Sequence, residues 1–259
     1  MAIPVAELIR YMNTLADPAL AESFDNCGLQ TGDANASAEK VLIALEVTRE
    51  VAQYAVAQGF DFIIVHHPLI LNPLKSVTLQ DPTGEILLTL ARGNVGVFTA
   101  HTNLDRSVGG TGDSLCALLG YEPLSLPEGA PCGRLVVLPE ETEICALREE
   151  IARKLNTPVR LSGTPGRKIR RLCVATGSGA SSLNWAKAQG AEAFLTGELK
   201  YHMAQECVQM GMCAMEAGHY ETEYPAMVQV YEGLQKYIHG LQYTVRLELY
   251  PRSTSPYCM

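Results

Sequence analysis

Gly59-Phe-Asp-Phe-Ile-Ile-Val-His-His-Pro68 is the stretch that decides the fold. Phe62 to Val65 is a short apolar run, mostly β-branched, preceded by a glycine and stopped by a proline, and it predicts a buried strand. Side chains alternate faces along a strand, so two neighbouring histidines serve one site only where the strand ends and the chain turns. Pro68 supplies that turn, because proline cannot continue a central ladder. The carboxyl end of a strand in an α/β sheet is where ligands usually sit. His66 and His67 are therefore candidate metal ligands.

Working outward, the chain reads as written twice. In the first half, a strand at Val41–Leu45 leads to a helix at Arg49–Gln58, with Val51, Tyr54, Ala55 and Gln58 at helical spacing and Gly59 as its C-cap. In the second half, a strand at Leu172–Ala175 leads to a helix at Ser181–Gln189, then Gly190, a strand at Ala193–Thr196, and Gly197-Glu198. Gly59 and Gly190 set the offset at 131 residues, which aligns His66 with Gly197 and His67 with Glu198. Further on, strand Gly96–Ala100 leads into His101-Thr-Asn-Leu-Asp105, and strand Met212–Met215 leads into His219-Tyr-Glu-Thr-Glu223. This offset is 118, shorter by 13 residues, and the first copy has the longer connector, Leu69 to Glu85, which reads largely as loop.

Strands alternating with helices predict an α/β fold of two similar lobes, with mostly parallel or mixed sheets flanked by helices and a metal cleft between the lobes. The Pro- and Gly-rich stretch from Pro123 to Gly133 sets the expected boundary, giving lobes 1–127 and 128–259. The closing strand, Gln242–Tyr250, is free to return to either lobe. Ile3–Leu15 and Thr142–Leu155 read as amphipathic helices. Copies facing each other across a pseudo-two-fold would bring His66, His67, His101, Asp105, Glu198, His219 and Glu223 to one cleft.

Hydrophobic residues make up 47% of the 259 and charged residues 19%, the balance of a globular protein. A net charge of −8 counts against a general nucleic-acid binder, although Arg160, Arg167, Lys168, Arg170 and Arg171 make a local basic segment. No apolar run reaches the roughly 18 residues of a membrane span. The N-terminus lacks a basic stretch followed by an apolar one, so the expectation is no signal peptide and a reducing cytoplasm. The eight cysteines form no C-x-x-C pair and read as small core residues.

Taken singly, His66 and His67 read as ordinary polar residues at a strand end and His219 as a surface histidine. Four of the six histidines ending three strands, two of them with an acid four positions on, read instead as a divalent-metal site. So many imidazoles and carboxylates exceed one tetrahedral ion and suit two ions sharing a carboxylate. Thr176-Gly-Ser-Gly-Ala-Ser-Ser182 is a strand-to-helix turn in which Gly177, Ser178 and Gly179 are candidates for holding a phosphate. It lacks the Gly-Lys-Ser/Thr end of a P-loop, and a tight turn with a serine N-cap is the plainer reading. Val108-Gly-Gly-Thr-Gly-Asp113 reads as a cap for a helix at Ser114–Leu119, and Tyr201-His202 as residues that line the cleft.

Ser23-Phe-Asp-Asn-Cys-Gly-Leu-Gln30, Val65-His-His-Pro-Leu69, His101-Thr-Asn-Leu-Asp105, Gly197-Glu-Leu-Lys-Tyr-His202 and Gly218-His-Tyr-Glu-Thr-Glu223 together resemble the Nif-three-like family of dinuclear-metal-centre hexameric proteins, often labelled GTP cyclohydrolase 1 type 2 homologues. The stretch from Glu122 to Arg170 is too short for the inserted domain of longer members, so the chain looks like the compact form. The resemblance implies two divalent metal ions per subunit (Zn, Fe, Mn, Ni or Co) on His66, His67, Asp105, His219 and Glu223. It leaves His101 and Glu198 to orient ligands, and Glu198, His101 or His202 to shuttle protons. It further implies a homo-oligomer, a hexamer, and a metal-dependent hydrolase of a nucleotide-like or phosphoester substrate. A non-catalytic metal-handling or scaffold protein, or a ring associated with nucleic acid, stand as the alternatives.

Overall fold

Phe62–Val65 forms a strand buried on both faces, with parallel neighbours on either side. The computed structural model of the chain describes residues 1–124 and 132–257. The expected boundary at 127/128 lies outside the described residues.

In chain order the elements are β1 (Ile3–Pro4), α1 (Val5–Leu15), β2 (Gly28–Thr31), β3 (Ser37–Ala38), β4 (Lys40–Ala44), α2 (Arg49–Gln58), β5 (Phe62–Val65), α3 (Pro82–Arg92), β6 (Gly96–Thr99) and α4 (Thr102–Arg106). There follow α5 (Thr111–Leu119), β7 (Arg134–Glu143), α6 (Ile144–Leu155), β8 (Arg160–Ser162), β9 (Lys168–Val174), α7 (Leu183–Ala188), β10 (Ala193–Thr196), α8 (Tyr201–Gln209), β11 (Cys213–Glu216), α9 (His219–Gly240) and β12 (Arg246–Leu249). Two compact units result, Met1–Ser107 with Met227–Pro256, and Val108–Ala226 with Tyr257.

The first unit holds a five-stranded sheet in the order β12-β4-β5-β6-β2, in which β2 alone runs antiparallel to its neighbour. Leu42, Ile63, Val65 and Val97 pack with Val51 and Ala55 of α2 and Leu90 of α3. Thr48 caps α2 by accepting the Val51 N–H, and Gly59 closes it at φ 67°, a left-handed conformation in which glycine carries no Cβ penalty.

The second unit holds a sheet in the order β7-β9-β10-β11-β8, with β9, β10 and β11 parallel and the two edges antiparallel. Leu172 and Val174 face one core layer, with Leu147 and Ile151 of α6. Cys173 faces the other, with Leu183 of α7 and Cys207 of α8. That alternation is the period of two of a strand covered on both sides.

The internal repeat is visible in the topology. β4-β5-β6 corresponds to β9-β10-β11, and an antiparallel strand that precedes each trio, β2 or β8, lies on the far edge. The outermost strands differ: β12 comes from the C-terminal end and runs parallel, while β7 precedes its trio and runs antiparallel.

Several boundaries move for local reasons. The helix expected from Ile3 begins at Val5, because Ile3 and Pro4 pair with Ala38 and Ser37. The helix expected from Thr142 begins at Ile144, because Thr142 and Glu143 still pair with β9, and the Glu143 carboxylate accepts the Cys145 and Ala146 N–H groups. The connector expected to Glu85 ends at Asp81. Asp81-Pro82 is a helix start and not a breaker, with the aspartate accepting the Gly84 N–H and proline in the first turn. The helix expected from Ser114 already starts at Thr111. The segment 181–189 is a 3₁₀ turn, Gly179–Ser182, followed by α7. Neither Ser178 nor Ser182 makes the capping hydrogen bond expected there. Among the described residues no helix is long and apolar enough to cross a membrane, and the cysteines are free thiols.

Candidate metal centre

The parallel strands of the first unit end in register. Ala44 pairs with Val65 and Val65 with Thr99, so the residues just beyond them gather at one sheet edge. Leu45 O accepts the N–H groups of both His66 and His67, at 3.0 and 2.9 Å, which turns the chain at the strand end. The ligand atoms of His66, His67 and His101 lie within 4.8 Å of one another, with ring centroids 5.0 to 5.8 Å apart.

Each ring is held through Nδ1 by an oxygen. His66 Nδ1 is 2.8 Å from Ala100 O, His67 Nδ1 is 2.8 Å from Glu46 Oε2, and His101 Nδ1 is 2.9 Å from Asp25 Oδ1. A carbonyl or carboxylate oxygen only accepts, so Nδ1 carries the hydrogen in each ring, an assignment made from the hydrogen-bond partners. In the neutral ring Nε2 then keeps its lone pair, the state a metal-binding imidazole needs.

Asp105 lies on α4, one turn after His101, whose carbonyl accepts the Asp105 N–H. Its Oδ1 is 3.6 Å from Nε2 of the fully buried His66. Two electron-pair donors facing each other at that distance, in a setting of low exposure, fit a cation shared between them.

Asp25 organises the far side of His101. Burial pushes the Asp25 carboxyl up, but hydrogen bonds from Thr102, His101 and the Cys27 thiol outweigh it and hold the group well below the usual carboxylate range. His101 is shifted down by burial and by the neighbouring His66, against the pull of Asp25. Burial raises the Cys27 thiol to about 11, so it remains a neutral donor to Asp25 Oδ2 at 3.1 Å.

In the second unit the turns that follow β9, β10 and β11 carry Gly177, Gly197-Glu198 and Gly218-His219. His219 opens α9, with Nδ1 3.3 Å from Glu198 Oε1 and Nε2 3.2 Å from Glu223 Oε2. His219 and Glu223 are one helical turn apart, so they share a helix face. Glu223 is 5% exposed and Glu198 about half exposed.

Gly177 makes room for this pair. At φ 55° its backbone lies so close that an added Cβ would strike the Glu223 carboxylate and come within 3.0 Å of His219 Nε2. The N–H groups of Gly177 and Gly179 are donated to the Thr222 and Thr196 hydroxyls at 3.0 and 3.1 Å, and Ser178 is exposed. His202 is exposed on the first turn of α8.

His66, His67, His101 and Asp105 thus come together in the first unit, and His219, Glu223 and Glu198 in the second. Glu46 and Asp25 were not anticipated as partners. Glu46 follows β4 in the ladder position beside His67, a signal readable once the parallel register is known. Asp25 lay inside Ser23–Gln30, among the motif residues but without a role.

A model of the Duf34/NIF3 family (NGG1p interacting factor 3) matches residues 3–256. A Nostoc protein named GTP cyclohydrolase 1 type 2 homolog is 34% identical over 247 residues, covering 92% of this chain and 94% of its own. A Helicobacter pylori protein named GTP cyclohydrolase 1 type 2 is 32% identical over 244 residues, covering 94% and 95%. The crystal structure of a Bacillus cereus protein related to NIF3 superposes with a TM-score of 0.91 at 22% identity, covering 100% of this chain and 99% of that one, which shows the shared fold.

Proposed function

Because the chain belongs to the Duf34/NIF3 family, we propose that it holds two divalent metal ions per subunit on His66, His67, Asp105, His219 and Glu223, and that it is a metal-dependent hydrolase of a nucleotide-like or phosphoester substrate. The observation that carries this reading is the set of Nδ1–oxygen contacts at His66, His67 and His101, which leaves Nε2 of each ring as the electron-pair donor. Bound there, divalent ions would supply Lewis acidity and lower the pKa of water.

The chain's own groups divide the remaining work. Glu46 and Asp25 fix ring tautomer and orientation at His67 and His101, and Glu198 orients the His219 ring from its Nδ1 side. Glu198 is half exposed and touches His219, which suits it to hold a proton taken from the reacting water. His101 and His202 are the other candidates for that role. The names of the relatives supply GTP as the first substrate to try.

The test is metal counting on protein purified without chelator, followed by turnover on GTP and a phosphoester panel. Two ions per chain with turnover that Asp105→Ala abolishes is the expected result. Two ions with no turnover on any of these substrates would reject the hydrolase and leave a metal-handling protein. A homo-hexamer is proposed alongside, and native mass spectrometry reads it directly.

A further inference from the structure

The second unit has a hollow of about 500 Å³ whose wall includes His219, Glu198, Arg160, Glu216 and Tyr257. Arg160 opens the edge strand β8 and stands opposite Glu216, the last residue of β11. Their contact is bidentate, with Nε 2.7 Å from Oε2 and Nη2 2.5 Å from Oε1. Glu216 is buried, and its Oε1 also accepts the Leu199 N–H at 2.8 Å. Both carboxylate oxygens are therefore engaged at the sheet edge, while the Arg160 side chain is 71% exposed.

An exposed arginine ordinarily samples many rotamers, and an exposed ion pair contributes little stability. Here a buried carboxylate fixes the fork along one side. The Nη1 pair and the second Nη2 proton remain for an acceptor, already ordered. Glu216 offsets the charge of Arg160, so the fork offers directed N–H donors more than a net field. The hollow thus has an oriented guanidinium at one place on its wall and the His219–Glu198 pair at another, with the largely exposed ring of Tyr257 lining it as well. Such a ring gives a flat heterocycle a face to stack on.

We propose that Arg160, positioned by Glu216, binds a phosphate group of the substrate and so sets the preference for nucleotides over nucleosides. The inference rests on reading the His219–Glu198 end as part of a hydrolytic site for nucleotide-like molecules.

Calorimetric titration of the metal-loaded full chain with GTP, GMP and guanosine tests it. Both nucleotides are expected to bind at least about tenfold more tightly than guanosine, the scale of a charge-assisted pair. Arg160→Ala should remove most of that difference while metal content and guanosine affinity stay unchanged. Arg160→Lys should restore part of it, and Glu216→Gln should lower it by releasing the fork. Equal binding of GMP and guanosine by the unmodified protein, no binding of any of the three, or an unchanged preference in Arg160→Ala would overturn the proposal. Turnover is measured separately. A protein that turns over nothing yet keeps an Arg160-dependent preference rejects the hydrolase reading and retains the subsite.

Discussion

His66 is fully buried, and its ring Nδ1 lies 2.8 Å from the carbonyl oxygen of Ala100, the residue directly after β6. One strand end therefore sets the tautomer of the histidine at the end of its neighbour. A carboxylate does the same at His67 and His101. Three different oxygens reach one outcome, an imidazole whose Nε2 is the electron-pair donor.

Of the proposed ligands His67 is the one to remove first, because it is partly exposed and its loss leaves no large buried cavity. His67→Ala is expected to fold and to retain less than half of the unmodified protein's metal by elemental analysis. In metal-free unmodified protein, an ion added at about 100 times its Kd contributes about 2.7 kcal/mol and raises Tm. His67→Ala should show a clearly smaller rise. Equal metal content and an equal rise would remove His67 from the ligand set.

Glu46 touches the His67 ring, and through it would act on the proposed metal. Glu46→Ala is expected to weaken metal affinity by about 10- to 100-fold, the usual range for losing such a partner. Glu46→Gln keeps an oxygen for Nδ1–H and should fall between the two. Competition against a chromophoric chelator gives the affinities. If Glu46→Ala binds as tightly as the unmodified protein, the contact orients nothing of consequence.

Gly177→Ala and Gly166→Ala form a matched pair. Both glycines have positive φ, 55° and 79°, where an L-residue costs about 1–2 kcal/mol. A Cβ at Gly166 meets nothing within 4 Å, whereas one at Gly177 meets Glu223 and His219. Urea unfolding should show Gly166→Ala losing the backbone term alone and binding metal normally. Gly177→Ala should lose more stability and also bind metal more weakly. Equal effects would mean that Glu223 moves aside freely.

Local sequence carried much of this fold because its strongest signals are local. Four buried residues between Asp61 and His66 and the Gly59 stop need no distant partner to be recognised, and β5 and α2 form at the expected bounds. The repeat gave the strand trio of each half, and the topology bears it out. Asp81-Pro82 was read as loop because proline breaks helices from inside but favours their first turn, and only the following residues decide which applies. Glu46 was invisible for another reason. Its role depends on β4 lying beside β5 in register, a pairing that no short window of sequence contains. The Arg160–Glu216 pair joins residues on two strands far apart in the chain, and it was equally out of reach.

Asp25 and His101 predict how the metal-free protein responds to acid. His101 sits below its ordinary 6.5, so between the two values the unfolded chain binds more protons than the folded one. Stability is therefore expected to start falling as pH drops below about 6.5. Asp25 sits below its ordinary 3.8, so its contribution is complete above that value and declines as pH falls further. Both groups act in the same direction. Urea unfolding of metal-free protein between pH 7 and pH 3 should show two stages of loss. In Asp25→Asn the lower stage should shrink. The upper stage should still begin near pH 6.5 but grow and extend to lower pH, because the carboxylate no longer supports a protonated His101. An acid limb unchanged by Asp25→Asn would show that the Asp25 carboxylate is not held by Thr102, His101 and Cys27 in solution.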